Sequence, residues 1–180
     1  MKILFITSGF PKGSRIAGIF IPDLLKELCK LDCEIHVLTQ NCDSEQTESA
    51  ILWEGCNITY FGWKGGETPL VEVLKKGLSG IILAFQYFRN GIKTGKKIAK
   101  EWKPDFIFAE WLVPAGLIAN RISKKTNIPY TARALGSDVL VLGKKPIFKN
   151  IVRFVAKNAD DYSVVAGIPA KKINDTREMN

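Results

Sequence analysis

The sequence predicts an α/β protein in which a doubly wound, mostly parallel, Rossmann-like sheet forms a single domain. The first observation behind this prediction is that short apolar runs of strand length alternate with longer segments whose apolar residues recur at helical spacing. The second is that loops rich in glycine, proline or polar residues follow several of the runs. Strands separated by helices need crossover connections, and right-handed crossovers give a parallel sheet with helices on both faces.

Each element follows from its local pattern. Residues 2–8 form a continuous apolar run, which is typical of a strand covered on both faces. Ile21, Leu24 and Leu25 lie at the spacing of an amphipathic helix, and the polar segment 41–50 is expected to be a loop. The segments with strand patterns are 2–8, 33–39, 57–61, 105–109, 128–132 and 162–165. The segments with helical patterns are 20–31, 69–102 (two helices, or one broken by its glycines), 113–125 and 147–156.

The composition is that of an ordinary globular domain, with 46% hydrophobic and 24% charged residues in 180. The start of the chain carries one lysine and a short apolar run, too short for the core of a secretory signal. The most apolar internal stretch, 81–88, is far shorter than the ~20 residues of a transmembrane helix. We therefore expect a cytoplasmic protein, with a domain over 1–165 and a tail over 166–180 that either belongs to the fold or is truncated or fused.

Cysteine and histidine usage gives no metal-binding pattern. The cysteines Cys29, Cys33, Cys42 and Cys56 are irregularly spaced, and His36 is the only histidine. A zinc site would need nearly all four thiolates, so we expect free thiols, no metal and no cofactor. His36 lies inside a predicted strand and is expected to be structural.

The net charge of +8 is compatible with nucleic acid or an anionic membrane surface as a partner. No nucleic-acid-binding motif is present, so nucleic acid is not expected. Lysines and an arginine surround the apolar run 81–88, as in a helix that lies on a membrane surface. Core helices with outward-pointing lysines would give the same pattern, so both interpretations of 74–100 stay open.

Two loops contain the first candidate site residues. The loop after the first strand contains Arg15 and Gly18, and a glycine there would let a phosphate approach the amides at the start of the next helix. A flexible surface loop would have the same composition.

Past the strand at 105–109, Trp111 could stack on a sugar face and Glu110 could act as a base. A tryptophan that covers the core and a solvated carboxylate are the alternatives.

A third loop, Gly136, Ser137 and Asp138, follows the strand at 128–132. Asp138 could accept hydrogen bonds from hydroxyl groups of a sugar, or it could cap the segment that follows. In a parallel sheet, loops at the carboxyl ends of strands meet at one edge and bind ligands there.

In order and spacing, these segments resemble the N-terminal domain of family-4-type, GT-B-fold glycosyltransferases. The resemblance covers roughly residues 1–165. The matching segments are FP at 10–11, GIF at 18–20, LLKEL at 24–28, EIHVLT at 34–39, KPD at 103–105, WLVPAG at 111–116, IP at 128–129 and GSDV at 136–139.

The resemblance implies a half-enzyme that binds a sugar or lipid-linked glycan acceptor for polysaccharide or lipid-linked glycan synthesis. By position, Gly18 would lie near the diphosphate of a nucleotide-sugar donor, with Arg15 close by. Trp111, Gly136, Ser137 and Asp138 would line the acceptor side, with Asp138 and Glu110 as catalytic candidates. The chain lacks the donor-binding half, so a separate donor-binding subunit and inactivity of the chain alone are implied. An inner-membrane setting fits such a role.

The chain departs from the family pattern at two positions. Members often carry histidine where this chain has Glu110, and histidine or arginine where it has Leu135. A non-catalytic binding or scaffold module that kept the fold is therefore the alternative. The tail from 162 also resembles the closing segment of hexapeptide-repeat acyltransferases, but no hexapeptide repeats precede it.

Overall fold

A computed structural model of the chain describes residues 1–11, 18–42, 48–136, 146–159, 163–166 and 171–175. A six-stranded sheet forms its centre, in the order β3-β4-β2-β1-β5-β6. Its strands are β1 (Lys2–Thr7), β2 (Glu34–Asn41), β3 (Ser49–Trp53), β4 (Cys56–Gly62), β5 (Phe106–Glu110) and β6 (Tyr130–Arg133). The helices are α1 (Ile21–Lys30), α2 (Leu70–Leu74), α3 (Leu78–Trp102), α4 (Leu117–Thr126) and α5 (Pro146–Lys157).

Every pair of neighbouring strands in this sheet is parallel except β3 and β4. The two faces of the sheet carry separate apolar cores, because successive side chains of a strand point to opposite faces. Leu4 and Ile6 of β1 pack on the side of α3 and α4, whereas Phe5 packs with Ile21 and Leu25 of α1 on the other side. The predicted doubly wound, mostly parallel α/β fold is confirmed.

Helix α3 runs antiparallel to β2 and spans its length. The Trp102 ring packs against His36 at the beginning of β2, with ring centroids 5.4 Å apart. At the other end of β2, the Tyr87 hydroxyl donates a hydrogen bond of 3.1 Å to Gln40 Oε1. The first turns of α3 therefore lie beyond the carboxyl ends of the strands.

The glycines of the long helical segment have two different roles. Gly77 has a φ of +67° and separates α2 from α3, which confirms the interpretation of two helices. Gly95 lies inside α3, where a Cβ atom would collide with side-chain atoms of Ile122 and Leu38. Its lack of a side chain lets α3 approach α4 and β2 closely.

Two parts of the chain differ from the prediction. Residues 49–53, expected to be partly loop, form β3 and pair antiparallel with β4 through a two-residue turn at Glu54–Gly55. Both turn residues have positive φ, at 44° and 85°, which is the geometry of a tight hairpin. The strand expected at 162–165 forms at Ser163–Ala166 (β7), but its expected place in the parallel sheet is wrong. It pairs antiparallel with Lys171–Asp175 (β8) in a separate two-stranded sheet.

No helix in the described part of the chain is both long and apolar enough to cross a membrane.

Candidate functional site

Buried polar side chains collect where the parallel strands end. Thr7 ends β1, Gln40 and Asn41 end β2, and Glu110 ends β5; all four side chains are buried. Buried polar groups destabilise a fold unless they find hydrogen-bond partners, so such a cluster needs a specific arrangement around it. The carboxyl edge of the sheet is therefore the candidate location of a functional site.

An ion pair joins the ends of β5 and β6. Arg133 donates from Nε and from Nη2 to the same oxygen of Glu110, Oε1, over 2.9 and 2.5 Å. The two residues are direct neighbours in the parallel register, which explains how positions 23 apart in sequence meet. The Glu110 side chain is completely buried, whereas 36% of the Arg133 side chain is exposed. Part of the guanidinium can therefore reach a ligand while the carboxylate holds it.

Two aromatic rings border the exposed part of Arg133. The guanidinium lies 5.6 Å from the centroid of the Phe20 ring, within the range of a cation–π contact. The Phe20 ring in turn meets Trp111 edge to face, with centroids 6.2 Å apart. Phe20 is 39% exposed and Trp111 is half-buried, so both rings offer apolar surface next to a cation.

The backbone of Trp111 has an unusual conformation. Its φ is +75°, in the left-handed region that side-chain-bearing residues rarely adopt. Hydrogen bonds hold both of its peptide groups: Trp111 N donates to Arg133 O, and Gly116 N donates to Trp111 O, each over 3.0 Å. An irregular helical turn, Leu112–Gly116, follows and leads into α4. The sheet edge and this turn together fix the direction of the indole.

Gly9 and Gly18, on either side of residues 12–17, lie close together between β1 and α1. Gly18 has a φ of +74°, and a Cβ atom there would collide with the carbonyl of Gly9. Its own carbonyl accepts a hydrogen bond of 2.8 Å from Ile21 N, which begins α1. Thr7 Oγ1 donates to Gly9 O over 2.9 Å and accepts from Gly9 N over 3.1 Å, so the end of β1 positions Gly9.

The structure therefore brings together three of the predicted site residues, Gly18, Glu110 and Trp111, at one edge. Gly136 follows three residues after Arg133, half-buried and with a φ of +87°. Arg15, Ser137 and Asp138 lie outside the described residues. The roles predicted for these residues stay predictions.

Sequence reasoning missed Arg133 and Phe20. Arg133 directly follows the predicted strand 128–132, and a charged residue at the buried carboxyl end of a strand was the available signal. Phe20 gave no such signal, because its contact with Arg133 joins segments that lie far apart in sequence.

The other candidates lie elsewhere or form no group. His36 lies in the amino-terminal half of β2, and its Nε2 is 2.8 Å from Thr59 Oγ1. Burial lowers the pKa of His36 below its ordinary value. Among the described residues, no three histidine, cysteine, aspartate or glutamate side chains lie close enough to share a metal ion.

Comparisons with solved structures agree with this fold. Sucrose-phosphate synthase (tll1590) from Thermosynechococcus elongatus superposes with a TM-score of 0.64 at 14% identity, over 88% of this chain and 41% of that chain. A second structure of that synthase, comprising part of its chain, gives a TM-score of 0.62 at 12% identity, over 89% and 74%. At such low identity these likenesses show the fold alone.

Sequence comparison extends the likeness to a family. A Bacillus subtilis (strain 168) protein named "Putative teichuronic acid biosynthesis glycosyltransferase TuaC" is 27% identical over 191 residues. The match covers 100% of this chain and 47% of that protein, so the chain spans about half the length of this relative. The model of the family described as glycosyl transferase 4-like matches residues 14–164. This match covers most of the chain, and the chain therefore belongs to the glycosyl transferase 4-like family.

Proposed function

We propose that this chain is the acceptor-side half of a nucleotide-sugar-dependent glycosyltransferase that acts in polysaccharide or lipid-linked glycan synthesis. One observation carries the proposal beyond family membership. At the carboxyl edge of the sheet, Arg133 is anchored by the buried Glu110 and bordered by Phe20 and Trp111. A partly exposed cation beside aromatic surface is suited to an acceptor that combines a sugar ring with a phosphate or several hydroxyl groups.

Each member of this group has a distinct part in binding. The Trp111 and Phe20 rings pack against the apolar face of a sugar, whose hydroxyl groups remain free to form hydrogen bonds. Arg133 keeps donors beyond the two that Glu110 Oε1 accepts, and these donate to oxygens of the acceptor. Glu110 holds the guanidinium in place, a role that its complete burial favours.

The donor is a nucleotide sugar that serves as substrate, and no cofactor is required. Gly18 and Arg15 approach its diphosphate, while Gly136 and Ser137 line the acceptor side. The catalytic role predicted for Asp138 is part of this proposal, whereas the buried Glu110 acts by holding Arg133. The donor-binding half comes from residues outside these 180, in the same or a separate chain, and the reaction takes place in the cytoplasm.

A non-catalytic binding module is the second candidate function. It is favoured by Glu110, because the family often has a histidine there and this chain has a carboxylate fixed in an ion pair. Such a module would bind the acceptor and leave catalysis to another protein.

Thermal unfolding with and without ligands tests the proposal. The ligands are UDP-glucose, UDP-N-acetylglucosamine, GDP-mannose and geranyl-diphosphate-linked N-acetylglucosamine, the last as an acceptor analogue. A ligand that binds only the folded chain raises its Tm, and the rise grows with the logarithm of the ligand concentration above Kd. We expect the acceptor analogue to raise Tm in wild type, and Trp111→Leu to weaken its binding at least tenfold.

Trp102→Phe is the matched control, because Trp102 packs against His36 at the opposite end of the sheet. It should leave the acceptor affinity unchanged. An equal loss in both variants, or no Tm rise with any ligand, would contradict an acceptor site at the carboxyl edge. Acceptor binding without sugar transfer, even in the presence of a donor-binding half, would favour the scaffold module.

A further inference from the structure

The first turns of α3 expose an unusually apolar surface. The exposed fractions of Leu78, Ile81, Ile82 and Phe85 are 75%, 57%, 62% and 70%. Their spacing of three and four residues places all four on one face of the helix. Singly exposed apolar residues are common, but a contiguous apolar stripe marks a surface that contacts a partner. We call these four residues the apolar stripe.

The same face of α3 becomes basic beyond the stripe. Arg89, Lys93 and Lys100 follow Leu78, Ile82 and Phe85 at helical spacing, and all three basic side chains are exposed. Lys75 and Lys76 are exposed just before the helix begins. No aspartate or glutamate occurs between residues 78 and 100, so the face carries positive charge alone along most of its length.

The inward face of the helix is fully used in packing. Tyr87 packs edge to face against Phe61 and Trp63, with centroids 5.0 and 4.9 Å away. Asn90 donates a hydrogen bond of 2.9 Å to Gly62 O. The outward orientation of the apolar stripe is therefore fixed by the core, and α3 cannot rotate to bury it.

The stripe lies at the same end of the sheet as the candidate site. Tyr87 reaches Gln40 at the end of β2, and Leu78 precedes Tyr87 by nine residues. At 1.5 Å per residue, the helix extends about 14 Å past the carboxyl ends of the strands. A surface that contacts the stripe therefore lies at the carboxyl end of the sheet, the end that holds the site.

We propose that the apolar stripe and the basic row of Arg89, Lys93 and Lys100 dock this chain on an anionic lipid membrane. The apolar side chains enter the boundary between headgroups and acyl chains, and the basic side chains meet lipid phosphates. A second copy of the chain would bring the same positive face against itself, which disfavours self-association. This inference rests on the proposed function, because docking would bring a lipid-linked acceptor to the end of the sheet that holds Arg133 and Trp111.

Sedimentation with lipid vesicles tests the docking surface directly. Wild type should bind vesicles of phosphatidylcholine containing one-third phosphatidylglycerol, and should bind pure phosphatidylcholine at least tenfold more weakly. The double variant Ile82→Gln with Phe85→Gln should lose at least tenfold in affinity for the anionic vesicles. Leu52→Gln is the matched control, because Leu52 is 73% exposed and is in register with Asn57 and His36 at the amino end of the sheet, opposite the apolar stripe.

Charge is tested separately with Arg89→Glu and Lys93→Glu. Each neutralised basic residue near an anionic surface weakens binding about fivefold, and reversal weakens it further. Lys30→Glu makes the same change on α1, which packs on the opposite face of the sheet, and should have little effect. Circular dichroism melts of all variants confirm that each one is folded.

Three results would overturn the proposal: wild type that binds neither vesicle, equal binding to neutral and anionic vesicles, or full binding by the stripe variants. A dimer in solution that Phe85→Gln dissociates would show that a second copy covers the stripe instead. Tm shifts with the acceptor analogue are measured on the same variants. They should persist when vesicle binding is lost, so the failure of the docking surface and of the acceptor site are distinguishable.

Discussion

The two ends of one sheet differ in what they bury. At the amino ends of the strands, His36 packs against Trp102, and Lys2 N donates a hydrogen bond of 2.7 Å to Asp105 Oδ2. At the carboxyl ends, a fully buried carboxylate pairs with a partly exposed arginine, and Trp111 adopts a φ of +75°. The buried ion pair is thus at the carboxyl end. Positive φ values occur at both ends, because the side-chain-bearing residues just before β2, β4, β5 and β6 also adopt them: Asp32, Glu54, Lys103 and Asn127.

This asymmetry shows how the fold separates stability from binding. A buried ion pair and a tryptophan with a positive φ each destabilise a protein unless the surroundings compensate. Here the parallel register places Glu110 beside Arg133, and two backbone hydrogen bonds hold Trp111. Strand register and backbone hydrogen bonds thus hold the carboxyl end in place, as expected of a site that must be rigid before a ligand arrives.

Disrupting the carboxyl-end ion pair should have the largest effect on stability. Arg133→Met leaves the buried carboxylate of Glu110 without its cation and should lower the free energy of unfolding by about 2–4 kcal/mol. Lys30→Met removes the exposed partner of Glu27, 2.7 Å away, and should cost less than about 1 kcal/mol. Urea denaturation measures both; equal losses would contradict the difference between the two ends.

Glycine replacement compares the two ends at the level of the backbone. Gly18→Ala should destabilise by at least about 2 kcal/mol, because its positive φ and a collision with the Gly9 carbonyl act together. Gly55 has a φ of +85° at the amino end of β4, with nothing within 4 Å of a Cβ. Gly55→Ala should therefore cost only about 1 kcal/mol, the conformational term alone. Thermal melts of the two variants test this; a Gly55→Ala variant as unstable as Gly18→Ala would refute it.

The amino end should respond to pH through His36. Burial lowers the pKa of His36 from its ordinary value of 6.5, so the unfolded chain binds the proton more readily than the folded chain. The stability contributed by neutral His36 is complete above pH 6.5 and is lost as the pH falls below it. Wild type should lose stability more steeply than His36→Gln between pH 7 and 5, as urea midpoints would show. Parallel curves would exclude this contribution.

Thiol labelling compares reaction rates and involves no change in stability. Cys56, at the amino end of β4, should react much more slowly than Cys33. Burial, followed by the hydrogen bond with Cys29, raises the pKa of Cys56 to about 12; the two sulfur atoms are 3.6 Å apart. At pH 8 only about one Cys56 thiol in 10,000 is ionised, and the thiolate is the reactive form. Iodoacetamide labelling followed by mass spectrometry should modify Cys33 well before Cys56 in the folded chain. Equal rates would show that the amino end of β4 opens readily.

Sequence patterns predicted the sheet better than they predicted the site. The continuous apolar run of β1 and the helical spacing of α1 depend on local pattern, and both elements form as expected. Strand β3 was missed because its first two residues belong to the polar segment 41–50, which is typical of a loop. Its hairpin turn, Glu54–Gly55, is also not one of the strongest turn signals. The prediction for the strand near the carboxyl terminus was wrong about its sheet, because a strand pattern alone does not show which sheet a strand joins.

The site was only half predictable for a related reason. Glu110, Trp111 and Gly18 were found because each follows or precedes an element whose end is readable from the sequence. Arg133 and Phe20 contact these residues across strands and loops. Arg133 is 23 positions from Glu110 in the sequence. Such partners depend on register and on loop conformation, which one sequence does not reveal.

Hydrogen–deuterium exchange with geranyl-diphosphate-linked N-acetylglucosamine most directly tests binding at the carboxyl end. We expect slower exchange in peptides covering 18–20, 110–116 and 130–136, with no change in 30–36 or 102–106 at the amino end. Arg133→Lys should reduce this protection if it reflects acceptor binding. Protection at the amino end, or an unchanged exchange pattern at saturating ligand, would contradict the account.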